Sequence, residues 1–333
     1  MLARARAGAG PQEDEVALLL RESDVASLLT MPDCLRAVEE AFRRQDAGLV
    51  QNHPRRRLRP PAGILHCMEA VDMGLGRMGL KVYTSYRAGT RFLVLLYDSA
   101  SGELLAILEA DRLGQMRTGA ATGVAVRHMA RADARSLGLI GAGWQAEAQA
   151  LAVAEVRDLR EARVFSRTPG NRARFAERMA DRLGCPVIPV DSAVAAAECD
   201  IVVTATTSRT PVLEGSWLRQ GTTVCAVGSN SLARAEIDRM VVARADRVVV
   251  DSIEQARMEA GDLLGPAEGG QFRWEQAREL REVVAGRWPG RGTAEEICLF
   301  KSCGLALEDV AAASLVYDRA READAGTPVP FWE

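Results

Sequence analysis

The sequence predicts an α/β protein with a parallel, doubly wound sheet and a second, mainly antiparallel sheet. Three observations carry this. An apolar run, Leu137 to Ile140, stops at Gly141-Ala-Gly143-Trp-Gln-Ala146, and a helix-forming stretch, Glu147 to Val156, follows at once. Beyond it, strand-like and helix-like segments alternate, the pattern of βαβ units. Before it, four strand-like segments succeed one another in hairpin order, which favours antiparallel pairing.

The elements follow in chain order. Met1 to Asp14 carries arginines but no apolar core, so it reads as a disordered extension and not as a signal peptide. Ser23 to Leu29 and Met31 to Ala47 read as helices. Thr30 with Asp33 resembles a capping box, Pro32 sits in the first turn, and Gly48 ends the second helix. The basic, proline-broken segment Asn52 to Gly63 reads as extended chain or loop. Strands are expected at Ile64 to Ala70, Met78 to Thr84, Arg91 to Tyr97 and Glu103 to Glu109, with Asp98-Ser-Ala-Ser-Gly102 as a hairpin turn. A long helix, Asp111 to Met129, leads into the alternating part. Strands are expected there at 136–140, 162–166, 186–190, 200–205, 222–227 and 247–250, and helices at 144–156, 170–183 and 252–260. Pro266 to Gly270 and Gly286 to Gly292 read as loop-rich breaks. Ile297 to Phe300 reads as a short strand and Gly304 to Ala323 as an amphipathic helix. The tail, Thr327 to Glu333, carries Phe331 and Trp332, aromatics suited to docking on a neighbour.

Composition narrows the function. A chain of 333 residues predicts about two domains. Hydrophobic content of 48% and charged content of 26% are ordinary for a globular enzyme. A net charge of −3 gives no electrostatic case for nucleic acid. No apolar run is long enough to span a membrane. The seven cysteines form no C-x-x-C, which points to a reducing compartment, the cytoplasm, and against a disulfide framework. Three separated histidines, at 53, 66 and 128, offer no metal cluster.

The glycine segment has the G-x-G-x-x-A form of a dinucleotide-binding turn. Gly141 allows the tight turn, Gly143 lets the backbone approach a pyrophosphate, and Ala146 lets helix and strand pack closely. Free N–H groups at the helix start then face the phosphates. NAD enzymes usually place an acid about 20 residues on, at the end of the second strand. Here that end reads Ser166-Arg-Thr168, with Arg172 beyond, and carries no carboxylate. Hydroxyls on Ser166 and Thr168 and the guanidinium of Arg167 suit a phosphate, so NADP is expected over NAD. The plainer reading makes Arg167 and Arg172 ordinary solvated arginines.

Lysine and arginine total 42, and only Lys81 and Lys301 are lysine. Arginine keeps its proton at any useful pH, whereas a buried lysine can lose it. Arg55, Arg56 and Arg57 cluster before the first of the four strands, and Arg117 interrupts a helix of small residues. An arginine in such a helix either binds an anion bidentately or forms a structural ion pair, for example with Glu109 or Asp111.

Several motifs in order resemble the ornithine cyclodeaminase/μ-crystallin family. They are Gly79-Leu-Lys81, Leu96 to Gly102, Gln115 to Ala121, the glycine turn, Gly228 to Asp238, and Phe300 to Asp309. The resemblance covers about residues 16 to 323. It implies a Rossmann-type nucleotide fold, residues 129–302, inserted in an α+β substrate and dimerisation domain, residues 15–128 plus 303–333. It implies a homodimer whose first domain is closed by the C-terminal helix. It implies a substrate α-carboxylate held by the arginine matching Arg55, with Arg56 and Arg57 adjacent as alternatives and with Lys81, Arg117 and Cys303 close by. It also implies Trp144 and Gln145 at the pyrophosphate, Thr206, Val224, Val227 and Arg234 along the cofactor, and Ser302 near the nicotinamide, with Arg117 reaching the cofactor too.

Cyclodeaminases resemble the chain in the Gly228 segment but carry a catalytic aspartate where Asn230 stands. Asparagine can hydrogen-bond but cannot serve as that base. The expected function is therefore hydride transfer between nicotinamide and an α-imino or α-amino acid, with Lys81 moving a proton and Asn230 orienting amine or water. Ornithine cyclisation with recycled NAD and a non-catalytic binding role are the alternatives.

Overall fold

The computed structural model describes residues 16–331; the expected N-terminal extension and Trp332 lie outside the described residues. The first part of the chain runs β1 (Val16–Leu20), α1 (Glu22–Leu28), α2 (Met31–Asp46), β2 (Val50–Asn52), β3 (Arg56–Leu58), β4 (Gly63–Asp72), β5 (Arg77–Tyr86), β6 (Gly89–Asp98) and β7 (Leu104–Glu109). The Thr30 hydroxyl caps α2 by accepting from the Asp33 amide at 3.4 Å. Strands β4 and β5 pair antiparallel over ten residues, and so do β5 and β6, as alternating half-buried strands joined by tight turns should. The basic segment before β4 is extended and broken. Both β2 and β3 pair with β4, and residues 53–55 bulge between them.

α3 (Asp111–Met129) then leads into β8 (Ser136–Ile140), α4 (Trp144–Ala154), β9 (Glu161–Phe165), α5 (Pro169–Leu183), β10 (Val187–Pro189), α6 (Ala193–Ala197), β11 (Ile201–Thr204), β12 (Thr223–Ala226), α7 (Arg239–Arg244) and β13 (Arg247–Val250). The remaining elements are α8 (Ile253–Glu259), α9 (Gly261–Glu268), β14 (Ala277–Glu279), α10 (Leu280–Val284), β15 (Cys298–Lys301), α11 (Ala306–Glu322) and β16 (Thr327–Pro330). This second sheet has the order β10-β9-β8-β11-β12-β15-β13-β14, and every pair in it is parallel. The strand order reverses at β8 and β11. Open parallel sheets bind ligands in the crevice at such a reversal.

The first sheet, β16-β1-β7-β6-β5-β4-β2, is mainly antiparallel as expected, with β1 lying parallel to β7. The tail forms an edge strand, β16, against β1 that the sequence does not announce; its prolines are tolerated because an edge strand has one unpaired side. One expectation needs correction. The expected break at Pro266 lies inside α9. Burial of Leu263 and Pro266 outweighs the lost backbone bond there.

α11 returns after the second sheet and packs on β4, β5 and β6, beside α2 and α3. α3 is buried on nearly every side, which explains its small, apolar composition. A Cβ on its Gly119 would stand 2.5 Å from the Ala148 carbonyl oxygen of α4. Alanine in a helix is ordinarily better than glycine by about 1 kcal/mol. Here close packing wins, so Gly119→Ala is expected to destabilise by about 1–3 kcal/mol in urea unfolding. A stabilised variant would show that α3 and α4 can separate freely.

Candidate active site

The reversal between β8 and β11 opens onto the glycine turn. Gly141 has a φ of +119°, and a Cβ on it would stand 2.3 Å from the Ala205 carbonyl oxygen, so only glycine fits. A Cβ on Gly143 would meet nothing within 4 Å, which leaves backbone facing open space. α4 starts there with no side chain capping its first N–H groups, and Ala146 is fully buried against the sheet. Ser166, Arg167 and Thr168 follow β9 beside this turn, where the Gly141 amide donates to the Phe165 carbonyl at 2.9 Å. Arg167 and Thr168 are exposed. Arg172 is held: it donates to the Ser166 carbonyl at 3.2 Å, pairs with Asp191 and lies over the Phe165 ring. Turn, helix start and strand end together fit a dinucleotide.

A cavity of about 550 Å³ extends from this turn to the first sheet. The second sheet supplies Gly143, Trp144, Gln145, Thr206, Val227, Asn230, Ser302 and Cys303 to its wall. The first sheet and α3 supply Arg55, Lys81 and Arg117. Val224 is fully buried within β12, and Arg234 is exposed; neither lines the cavity.

Of the three adjacent arginines, Arg55 turns inward, because it sits in the break between β2 and β3. It donates to the Cys303 carbonyl at 2.8 Å, the Gly304 carbonyl at 3.2 Å and the Met68 sulfur at 3.3 Å, and it pairs with Glu259. Arg56 lies outside, paired with Glu69. Arg57 reaches Glu259 at 2.5 Å and the Asn230 carbonyl at 3.0 Å, which ties the Asn230 loop to the first sheet.

Lys81 and Arg117 meet on α11. Lys81 Nζ donates to Asp309 Oδ1 at 2.8 Å, and Arg117 Nε donates to the same oxygen at 2.9 Å. Arg117 also pairs with Glu308 at 2.7 Å. All four are buried. Arg117 thus forms a structural ion pair, but not with Glu109 or Asp111 as expected. Those acids sit near the start of α3, whereas the helix turns Arg117 toward α11. Burial pushes the Lys81 ammonium down to about 8, although Asp309 pulls it up; Arg117 adds to the lowering. Burial lifts the Glu308 carboxyl to about 7 against the pull of Arg117.

Two further carboxylates brace the second sheet's loops. Asp251 accepts from the backbone amides of Cys303 at 2.6 Å and Gly304 at 2.5 Å, and from the Ser302 hydroxyl at 3.2 Å. Glu236 accepts from the amides of Thr206 and Gly228, each at 2.6 Å. Lys301, the second lysine, is buried facing away from the cavity. It pairs with Asp262 at 2.9 Å and donates to the Ser229 carbonyl at 2.5 Å, so its role is to hold the loop that carries Asn230.

The chain belongs to the ornithine cyclodeaminase/mu-crystallin family. Residues 15–324 match that family's model. The chain is 33% identical over 324 residues to an alanine dehydrogenase of Archaeoglobus fulgidus, covering 95% of this chain and 98% of that enzyme. Its fold matches a Thermococcus litoralis Delta(1)-pyrroline-2-carboxylate reductase, solved with NADH and L-proline, at a TM-score of 0.90 and 37% identity, over 94% and 100% of the two chains. It also matches an archaeal alanine dehydrogenase dimer with bound NAD at a TM-score of 0.90 and 33% identity, over 95% and 100%.

Glu308 and Asp309 carry no flag in the sequence beyond their place in the Phe300 to Asp309 segment. The available signal was position, since two acids fall on the face of α11 that otherwise presents alanine, valine and leucine. Asp309→Asn removes the buried counter-charge that Lys81 and Arg117 share. It is expected to cost about 3–5 kcal/mol, read as a lowered urea midpoint. Unchanged stability would mean that water already solvates the pair.

Proposed function

We propose that the chain is an NAD(P)-dependent oxidoreductase acting at the α-carbon of a small α-imino or α-amino acid. The observation that carries this is Lys81, lowered to about 8, sharing one cavity with the glycine turn. When bound, the nicotinamide cofactor gives or takes hydride at the substrate α-carbon. Gly141, Gly143, Trp144, Gln145 and Thr206 would hold its phosphate and sugar portions, and Ser302 would stand near the ring. Arg55, rigidly held and paired with Glu259, would bring its one remaining N–H and its charge to the α-carboxylate. Arg117 has one terminal nitrogen without a protein partner among the described residues and lines the same cavity, so it would add a second donor for that carboxylate.

Near neutral pH Lys81 is mostly protonated yet able to release its proton. It can donate to the substrate nitrogen during reduction and accept from it during oxidation. Asn230 can orient the amine or a water molecule but cannot act as a base, which argues against the cyclodeaminase reading. A second, largely apolar hollow on the outer face of the first sheet, lined by Val71, Met78, Leu80 and Tyr97, supports a homodimer. The seven cysteines are all free, which supports a reducing, cytoplasmic setting.

The test is nicotinamide absorbance at 340 nm, against amino acids in one direction and α-keto acids with ammonia or methylamine in the other. No turnover with any of them would overturn the reading. Lys81→Ala is expected to reduce turnover by about 10²–10⁴-fold while cofactor binding survives. Near-normal turnover in the folded variant would remove Lys81 from the mechanism.

The cofactor phosphate site is testable separately. Exposed Arg167, with no carboxylate beside it on the second strand end, favours NADP(H) over NAD(H). Fluorescence titration should show tighter NADPH binding, and Arg167→Asp should reverse the order. Tighter binding of NADH by the parent protein would refute the preference.

A further inference from the structure

The cavity wall on the first sheet is laid out in cross-strand rows. Lys81 stands opposite Met68 on β4. Two residues further along β5, Tyr83 stands opposite His66 on β4 and Phe92 on β6, and His66 stands opposite Arg57 on β3. The next row on β5 and β6 is Ser85 opposite Thr90. Rows two residues apart are separated by roughly 6.8 Å. His66, Tyr83, Phe92, Ser85 and Thr90 all line the cavity.

His66 is the unusual member. Its ring stacks on Tyr83 at 4.0 Å between centroids, with an interplanar angle of 4°. The residue is only 6% exposed, yet neither ring nitrogen has a hydrogen-bond partner. A buried imidazole offers a donor and an acceptor, and leaving both unmade is costly. Its surroundings are cationic. Burial and then the charges of Arg57, Arg55 and Arg59 push its proton affinity down to about 4, so the ring is neutral. Glu259 answers Arg55 and Arg57. Arg59, exposed just past β3, has no carboxylate partner among the described residues.

Resting on the α-imino or α-amino acid reading above, we propose that the His66–Tyr83 row is the substrate side-chain subsite and that it selects a second carboxylate. With the α-carbon at Lys81, a side chain of one or two methylenes reaches the next row. Its terminal carboxylate accepts from the His66 ring N–H and meets the field of Arg59. The substrate class is then a four- or five-carbon dicarboxylic α-imino or α-amino acid. A plain alkyl side chain would leave the His66 nitrogens unmet.

The test compares oxaloacetate and 2-oxoglutarate with pyruvate and 2-oxobutyrate, each with ammonia and the reduced cofactor, by kcat/KM at 340 nm. The parent protein should favour an acidic side chain. His66→Phe keeps the stack on Tyr83 but removes the hydrogen bond, and should cut the acidic-to-alkyl ratio by about 10–100-fold. Arg59→Ala, at an exposed position that tolerates change, should cut it in the same direction by less. A parent preference for alkyl substrates, or a ratio untouched by both variants, overturns the subsite. Turnover of none of the four would instead strike at the proposed function. Thermal shift with aspartate against alanine, in the presence of the cofactor, then decides the subsite, and equal shifts reject it.

Discussion

A single carboxylate oxygen organises the molecule. Asp309 Oδ1 accepts from both Lys81 and Arg117, and so joins the middle of the first sheet, the buried helix α3 and the returning helix α11. Two cations cannot be buried side by side without such a counter-charge. Arg117 is the costlier to bury, because it cannot lose its proton, and Glu308 supplies it with a second anion. Lys81 has the alternative of deprotonation: burial lowers its proton affinity toward neutrality, and Asp309, shared with Arg117, only partly restores it. A structural necessity and a chemical opportunity therefore arise from the same atoms.

The second sheet solves a different problem with the same kind of residue. Its strands end in loops that must present backbone atoms at fixed positions, and two buried acids hold them. Asp251 gathers the amides after β15, and Glu236 gathers those after β11 and β12. Burial is the main cause raising the proton affinity of both; N–H donors oppose it, as does the charge of Lys301 at Glu236. Such multiply bonded carboxylates stiffen loops more than single contacts do. Lys301 belongs to this scaffold through Asp262 and the Ser229 carbonyl, so of the two lysines one faces the cavity and the other braces its wall.

What the sequence disclosed was what lies close along the chain. The turn at Gly141 and Gly143, the cap at Thr30 and the hairpin of β6 and β7 each depend on a few consecutive residues, and each was legible. What it hid depends on distant partners. Three successive arginines look alike until the break between β2 and β3 turns Arg55 inward and leaves Arg56 outside. Val16–Leu20 becomes a strand by pairing with β7, and Thr327–Pro330 by pairing with Val16–Leu20 in turn. Nearness along the chain offers Arg117 the acids Glu109 and Asp111, whereas its partners lie on a helix from the far end of the chain.

That distance has a kinetic side. Lys81 and Asp309 are 228 residues apart, and Arg117 and Asp309 are 192 apart. Ribosomes deliver chain at about 5–20 residues per second, so Arg117 emerges roughly 10–40 s before its counter-ion. During that interval the β4–β6 meander, built from neighbours in sequence, can pair. The face that will receive α11 stays wet, because the two cations have nothing to be buried against. The second sheet meanwhile builds β8 to β12 from local βαβ steps, and it too waits for β15, which enters between β12 and β13. Closure of the first sheet by α11 must therefore wait for the C-terminal part of the chain, which brings the counter-charge that both cations need.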